Sequence, residues 1–305
     1  SVAVFLTFIK YELESEMQVR LCFHILVLID NPEKTVIEPL YEQKDRLEVL
    51  YDTRLMLGGG HLRGYKVSDP EHFEQIAKGL KALAQEKVQR QKYCQDGTSP
   101  FLYAMGDGNH SLATAKAHWV SVKEHLSEEQ AIDHPARYAL VEIVNLHDHG
   151  IVFEPIHRVL FGVTPEKFIK ETLEELDKDH PGSLFTRDVP IVKGDYHHIG
   201  IHGKRLKGTL SIENPGTTLE YRTVQEYLDV YLQKHPEVKI DYIHGEKALK
   251  SLTVNPNNTG LEMPPIGKFT LFRTVLQEGP LPRKSFSMGE AYEKRYYMEC
   301  RKIKP

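Results

Sequence analysis

Apolar and polar positions along the chain change period several times, and each change predicts an element. His24 to Ile29 (HILVLI) is an unbroken aliphatic run closed by Asp30-Asn31-Pro32, the pattern of a buried strand ending in a turn. Leu47 to Leu57 and Leu62 to Val67 have strand character, and Gly58-Gly59-Gly60-His61 between them predicts a hairpin with glycine where positive φ is needed, with a phosphate-cradling loop as the lesser alternative. Ser68-Asp69-Pro70-Glu71 has capping-box spacing and a first-turn proline, so a helix is expected to follow. Phe73, Ile76, Ala77, Leu80, Leu83, Ala84 and Val88 mark its apolar face.

The stretch FLYAMGDGNHSLATAKAHWVSVKEHL, 101 to 126, joins a short apolar run to a helical period. Phe101 to Met105 reads as a buried strand and Gly106-Asp107-Gly108-Asn109 as a tight polar elbow. Leu112, Ala115, Trp119, Val122 and Leu126 then recur at helical spacing. A strand, a glycine turn and a helix leave free backbone N–H groups at the positive end of a helix dipole, with Asn109 or Ser111 as cap and His110 beside them. An anion, above all a phosphate, suits that place.

Farther on, Arg137 to Asn145 predicts a strand and Ile151 to Val159 a further short one. Thr164-Pro165-Glu166 starts a helix through Leu176, and Thr217 to Gln233 forms another, with Val224, Tyr227, Leu228, Tyr231 and Leu232 on one face. Val238 to Ile243 is a strand, and Met263-Pro264-Pro265 precedes a last helix through Phe269, Phe272 and Leu276. The fold class is α+β, with a central sheet carrying the elbow and a carboxy-terminal α+β portion. A soft boundary divides 1–162 from 163–305, and one unit remains open as an alternative.

Composition narrows the function. The 305 residues carry 39 basic and 43 acidic side chains, a formal charge of −4, and no long basic run, so nucleic acid is not an expected partner. The apolar runs near Ala3 to Ile9 and Phe23 to Ile29 fall short of the roughly 18 to 20 residues of a membrane helix. Cys22, Cys94 and Cys300 are odd in number and far apart, which fits a reducing cytoplasm. The first twenty residues lack the order of a signal peptide, and the absence of an initial methionine points to processing, tag removal or truncation.

Other chemistry lies outside the elbow. His147 and His149 form a metal-ligand pair without an obvious third ligand, and no metal site is assigned. His157-Arg158 sets a titratable group beside a fixed cation, with a structural ion pair as an equal reading. Leu281 to Ser287 places Arg283 and Lys284 beside Ser285 and Ser287, which suits a phosphate oxygen and equally an exposed loop.

Asp107-Gly108-Asn109-His110 and the small-residue helix after it resemble the uncharacterised bacterial family called domain of unknown function ten-fifteen, one branch of which writes the elbow GDGNHSLATAK. HILVLIDNPEKTVIEPL at 24–40, LGGGHLRGYKV at 57–67, VFEPIHRV at 152–159 and LPRKSFSMGEAYEKRYYMECRKI at 281–303 also look like family segments. The elbow is similar, further, to the signature of the ParB, sulfiredoxin and free serine kinase superfamily. That resemblance implies a ParB/sulfiredoxin-like mixed sheet in which Gly108, Asn109 and His110 contact phosphate and Asp107 positions the turn or acts on a metal or proton. Asn109 stands where sulfiredoxin has its nucleophilic cysteine, which removes that chemistry. Ser111 replaces the usual arginine, so the cation must come from Arg158, Lys284 or Lys116.

The expected function is small-molecule phosphotransfer, of serine-kinase or phosphoserine-phosphatase type, with ATP or ADP and Mg²⁺. Asp107, His110 and Glu154 are the expected catalytic groups, with Asp30 as a further candidate base. Gly106, Gly108, Asn109, Ser111, Thr114, His157, Arg158, Lys284 and Ser285 are the expected phosphate or nucleotide contacts. The alternative is a nucleotide-binding regulatory or partner-binding protein without turnover.

Overall fold

Ile25, Val27 and Ile29 point to one side of a strand and Leu26 and Leu28 to the other, and all five are buried. A strand covered on both faces is what an unbroken aliphatic run requires. In the computed structural model, residues 3–6, 20–21, 25–94, 99–188, 190–289 and 301–302 are described. Residues 7–9 of the Ala3 to Ile9 run, His24, Cys22, Cys300, most of the Cys94 to Pro100 turn and much of the 281–303 segment lie outside them. Two compact units emerge, one drawn from Ser1–Ile151 with Tyr292–Pro305 and the other from Val152–Ala291.

The first unit contains β1 (Ala3–Leu6), β2 (Arg20–Leu21), β3 (Leu26–Ile29), α1 (Glu38–Glu42), β4 (Glu48–Arg54), β5 (His61–Lys66), α2 (Pro70–Leu83), α3 (Glu86–Tyr93), β6 (Ala104–Asp107), α4 (Asn109–Lys123), α5 (Glu128–Ile132) and β7 (Val141–Asn145). Its main sheet has the order β1-β7-β3-β6, with β3 parallel to β7 and antiparallel to β6. One face buries Ile25, Val27, Ile29 and Ile143 against Val36, Ile37, Leu40 and Ile76, with Leu80, Leu83, Met105 and Leu112 packed at the margin. Each fully buried aliphatic side chain of this kind contributes on the order of 1.5–3 kcal/mol. The glycine hairpin forms as β4 and β5, a separate two-stranded ribbon closed by a Leu55 N–H bond to the Gly60 carbonyl. The final strand, β15 (Arg301–Lys302), pairs with β2.

The second unit contains β8 (Phe153–Phe161), α6 (Pro165–Leu176), β9 (Leu184–Thr186), β10 (Tyr196–His202), β11 (Lys207–Glu213), α7 (Glu220–Lys234), β12 (Lys239–His244), α8 (Glu246–Leu252), β13 (Asn258–Glu262), α9 (Leu271–Glu278) and β14 (Phe286–Met288). Its antiparallel sheet has the order β12-β8-β13-β10-β11-β9, with β14 also on β8. Phe168, Val224, Leu228 and Tyr231 from α6 and α7 cover one face against Leu160, Ile199, Ile201, Leu210 and Leu261. On the other face α8 comes so near β13 that a Cβ on Gly260 would stand 2.7 Å from the Thr253 side chain. Mixed pairing in one sheet, antiparallel pairing in the other and helices on both make the fold α+β. The sequence-based boundary at 162/163 lies just beyond β8, which this division sets at the head of the second unit.

Several expected starts shift. The cap of α2 is Asp69, and the Ser68–Glu71 capping box does not form, because the helix begins one residue later at Pro70. Arg137 belongs to a short 3-10 turn after Pro135, and the strand begins only at Val141. The elbow strand begins at Ala104 rather than Phe101 and runs through Gly106 into Asp107. By contrast Thr164 caps α6 as its Thr-Pro-Glu sequence predicts, its hydroxyl accepting the Lys167 N–H at 3.3 Å.

Candidate functional site: the β6–α4 elbow

Strand β6 meets β3 with a break in register: Val27 faces Met105, but Leu26 faces Asp107. Gly106 is the extra residue of a β-bulge, and such an insertion resets the alternation of side chains. Met105 packs at the margin of the core, whereas Asp107 shares a register position with Leu26 on the opposite face. Glu142 of β7 faces the same Leu26 from the other side. Two carboxylates thus flank one strand, about 9–10 Å apart at the backbone for two strand spacings.

The turn into the helix is made by Gly108, whose φ of +87° lies in the left-handed region that glycine alone enters without strain. Gly108 is also the N-cap, and no side chain among the described residues caps the helix. The expected caps Asn109 and Ser111 fail because Asn109 is already the first helical residue. The Asp107 carboxylate accepts the Gly108 N–H at 2.8 Å, tightening the elbow. The first N–H to enter the helical ladder is that of Leu112, bonded to the Gly108 carbonyl at 2.9 Å. The N–H groups of Asn109, His110 and Ser111 therefore have no intrahelical acceptor, and no side chain among the described residues caps them, at the positive end of a 15-residue helix.

Asn109, His110 and Thr114 are exposed and Ser111 is half-buried. Thr114 turns its hydroxyl back to the His110 carbonyl at 2.9 Å, which spends its proton within the helix. Leu112, Ala115, Trp119, Val122 and Leu126 are all half-buried, so the helical face read from the sequence is the one that packs. Trp119 stacks on His134 with ring centroids 5.8 Å apart.

Asp30, the further candidate base, follows β3 at its far end, since β6 runs antiparallel and its Asp107 end meets Leu26. The Asp30 carboxylate accepts from Tyr93 at 2.5 Å and from His147 Nε2 at 2.7 Å, and Lys92 Nζ lies 3.4 Å away. Burial pushes the Asp30 carboxyl up, but Tyr93, His147 and Lys92 more than offset it and hold it below the usual range. The His147 imidazole is accordingly bound to a carboxylate.

The remaining expected residues belong to the second unit. The sheet brings two separately noted stretches together: β14 pairs with β8 so that Ser287 faces half-buried Glu154, and the Ile156 N–H approaches the Ser285 carbonyl at 3.4 Å. Phe153 and Phe286 stack at 4.1 Å beside them. Ser285 and Ser287 are buried and donate to the carbonyls of Pro282 and Gly289, so the paired hydroxyls turn inward instead of toward a phosphate. Lys284 is exposed in a left-handed conformation, and Arg283 reaches only the rim of Asp229 at 3.9 Å.

His157 and Arg158 do not act side by side. Strand alternation sends them to opposite faces of the sheet. His157 is buried, its Nδ1 accepts the Met263 N–H at 3.1 Å, and burial pushes its pKa down. Arg158 lies wholly buried on the α7 side, against the rings of Tyr221 and Tyr242, and burial lowers its pKa in turn.

The fold and elbow define an α+β protein with a bulged strand, a left-handed glycine and an uncapped helix start. The chain belongs to the family described as "Protein of unknown function (DUF1015)", whose model matches residues 19–231. Solved structures similar to it include the two that follow. A conserved hypothetical protein from Pyrococcus furiosus is 14% identical, covers 67% of this chain and 75% of its own, and has a TM-score of 0.41. SbnI with C-terminal truncation from Staphylococcus aureus is 11% identical, covers 74% of this chain and 78% of its own, and has a TM-score of 0.39. No curated protein matches the chain. Among the described residues no helix is long and apolar enough to cross a membrane.

Proposed function

We propose that the β6–α4 elbow seats a phosphate group, and that the protein is a small-molecule phosphotransfer enzyme of serine-kinase or phosphoserine-phosphatase type. One observation carries the reading: left-handed Gly108 opens α4 with no side-chain cap among the described residues, which leaves the N–H groups of Asn109, His110 and Ser111 to a ligand. Three converging donors at a helix start match the oxygens of a phosphate. Kinship with the ParB and sulfiredoxin superfamily rests on the same elbow.

ATP or ADP with Mg²⁺ fits this donor set, since the N–H groups suit phosphate oxygens and Asp107 and Glu142 suit a hard cation. That ion would offset the charge of the transferred phosphoryl group. His110 would contact the phosphate, and Glu142 or Asp107 would accept the proton of a serine-like hydroxyl. Glu142 joins Asp107 here as a candidate base because it shares the register position at Leu26. A reducing, cytoplasmic setting agrees with the exposed free thiol of Cys94.

The test is phosphorus NMR of ATP with L-serine, and of O-phosphoserine alone, with wild type and H110A. Turnover by wild type that falls about 10²-fold or more in H110A supports the reading. Equal turnover in the two would remove His110 from the reaction. A second reading, nucleotide binding without turnover, is favoured by one feature: no side chain among the described residues hydrogen-bonds the His110 ring to orient it. Stabilisation by ADP with no product in either reaction would select it.

A further inference from the structure

Among the described residues Arg158 heads the largest wholly buried side chains, with 0% of its surface exposed. It comes from the middle of β8, where register sets it between Tyr242 of β12 and Leu261 of β13. The guanidinium carbon lies 5.0 Å from the Tyr221 ring centroid and 5.3 Å from that of Tyr242. Nη1 donates to the Ile156 carbonyl of its own strand. Nε and Nη2 are buried with no hydrogen-bond partner, and no carboxylate among the described residues pairs with Arg158.

The two orphaned nitrogens are not a random pair. Nε–H and one Nη2–H point the same way and form the edge by which a guanidinium grips two oxygens of one carboxylate or phosphate. The aromatic rings offset part of the cost of burying the cation, but a ring face satisfies no N–H. Arg158 therefore has its π faces near tyrosines, its Nη1 turned to the backbone, and one complete two-donor edge left over.

We propose that the Nε–Nη2 edge of Arg158 is an oxyanion site built wholly within the second unit, taking the carboxylate or phosphate group of a small ligand beside Tyr221 and Tyr242. The site stands independently of the elbow, because all of its groups come from β8, α7 and β12. Its fixed wall is Tyr221, wholly buried, with its hydroxyl donating to the Pro264 carbonyl at 2.8 Å. Its movable wall is Tyr242, half-buried on the edge strand β12 and held by a single 3.3 Å bond from its hydroxyl to Gln225 Oε1. A ligand enters by swinging that ring aside, and its negative charge then neutralises the buried cation.

The test reads the Arg158 Nε–H directly. The side-chain Nε–H spectrum of the full chain is recorded during titration with inorganic phosphate and, separately, acetate, against chloride at equal ionic strength. The Arg158 signal is the one absent from R158K. Y242L gives a second assignment, because removing one ring moves the same signal. A saturable shift of that signal with phosphate or with acetate, absent with chloride, is the expected result, and the effective salt identifies the group that binds. A signal that moves with neither, or that drifts linearly with all three salts together with the other arginines, overturns the proposal.

Discussion

Asp107 and Glu142 stand opposite the same residue, Leu26, on its two flanking strands. The bulge at Gly106 brings Asp107 to that position, and the parallel pairing of β3 with β7 brings Glu142. Both carboxylates end on the sheet face from which the Met105 side chain is turned away, at the end of the sheet where α4 begins.

If Glu142 accepts the proton of the attacking hydroxyl, E142Q lowers kcat about 10²- to 10⁴-fold and leaves the affinity for inorganic phosphate without Mg²⁺ unchanged. Steady-state rates beside a phosphate titration measure both. Equal loss of rate and affinity would assign Glu142 to binding instead.

Gly108 is the elbow glycine with a left-handed backbone. G108A forces a Cβ into the left-handed region, lowering stability by about 1–2 kcal/mol or tilting the helix start. Phosphate affinity falls about tenfold or more, equivalent to about 1.4 kcal/mol, because the three N–H groups no longer converge. Denaturant unfolding and calorimetric titration of the same variant check the two effects.

Asp30 ties its cluster to pH. Its folded carboxyl lies below the ordinary value of 3.8, so its contribution is fully present above that value and is lost as pH falls through the depressed folded value. D30N is expected to be about 1–3 kcal/mol less stable than wild type at neutral pH, since Tyr93, His147 and Lys92 lose a charged acceptor. The gap closes on acidification below 3.8. Urea unfolding of both proteins from neutral to acid pH reads it, and a gap of constant size would count against the cluster.

Thr164 offers a test away from any site. Its hydroxyl caps the start of α6, so T164A costs about 1 kcal/mol and leaves phosphate binding intact. Chemical unfolding followed by ligand titration of the same sample checks both halves.

The strand, glycine turn and helix of the elbow were legible because they are local. The apolar run before Gly106, period 3.6 after His110 and glycine at the turn each follow from neighbours in sequence. The same holds for the β4–β5 hairpin and for the Thr-Pro-Glu start of α6. Glu142 carried no such signal, since its place beside Asp107 depends on the register of three strands, one of them bulged. The pairing of Ser287 with Glu154 was hidden for the same reason, being set by β14 folding back onto β8. His157 and Arg158 were within reach of the sequence: adjacent residues of a strand face opposite ways, and reading them as one charged pair ignored that period. The burial of Arg158 was not, because a cation in a strand ordinarily marks a solvated face.

The most direct measurement follows the backbone amides of Asn109, His110 and Ser111 by nitrogen-proton NMR during titration with ADP and, separately, inorganic phosphate. Binding at the elbow moves these three together, saturably and at one common affinity, and G108A removes the effect. Amides that stay in place while other signals shift would contradict a phosphate seat at the start of α4.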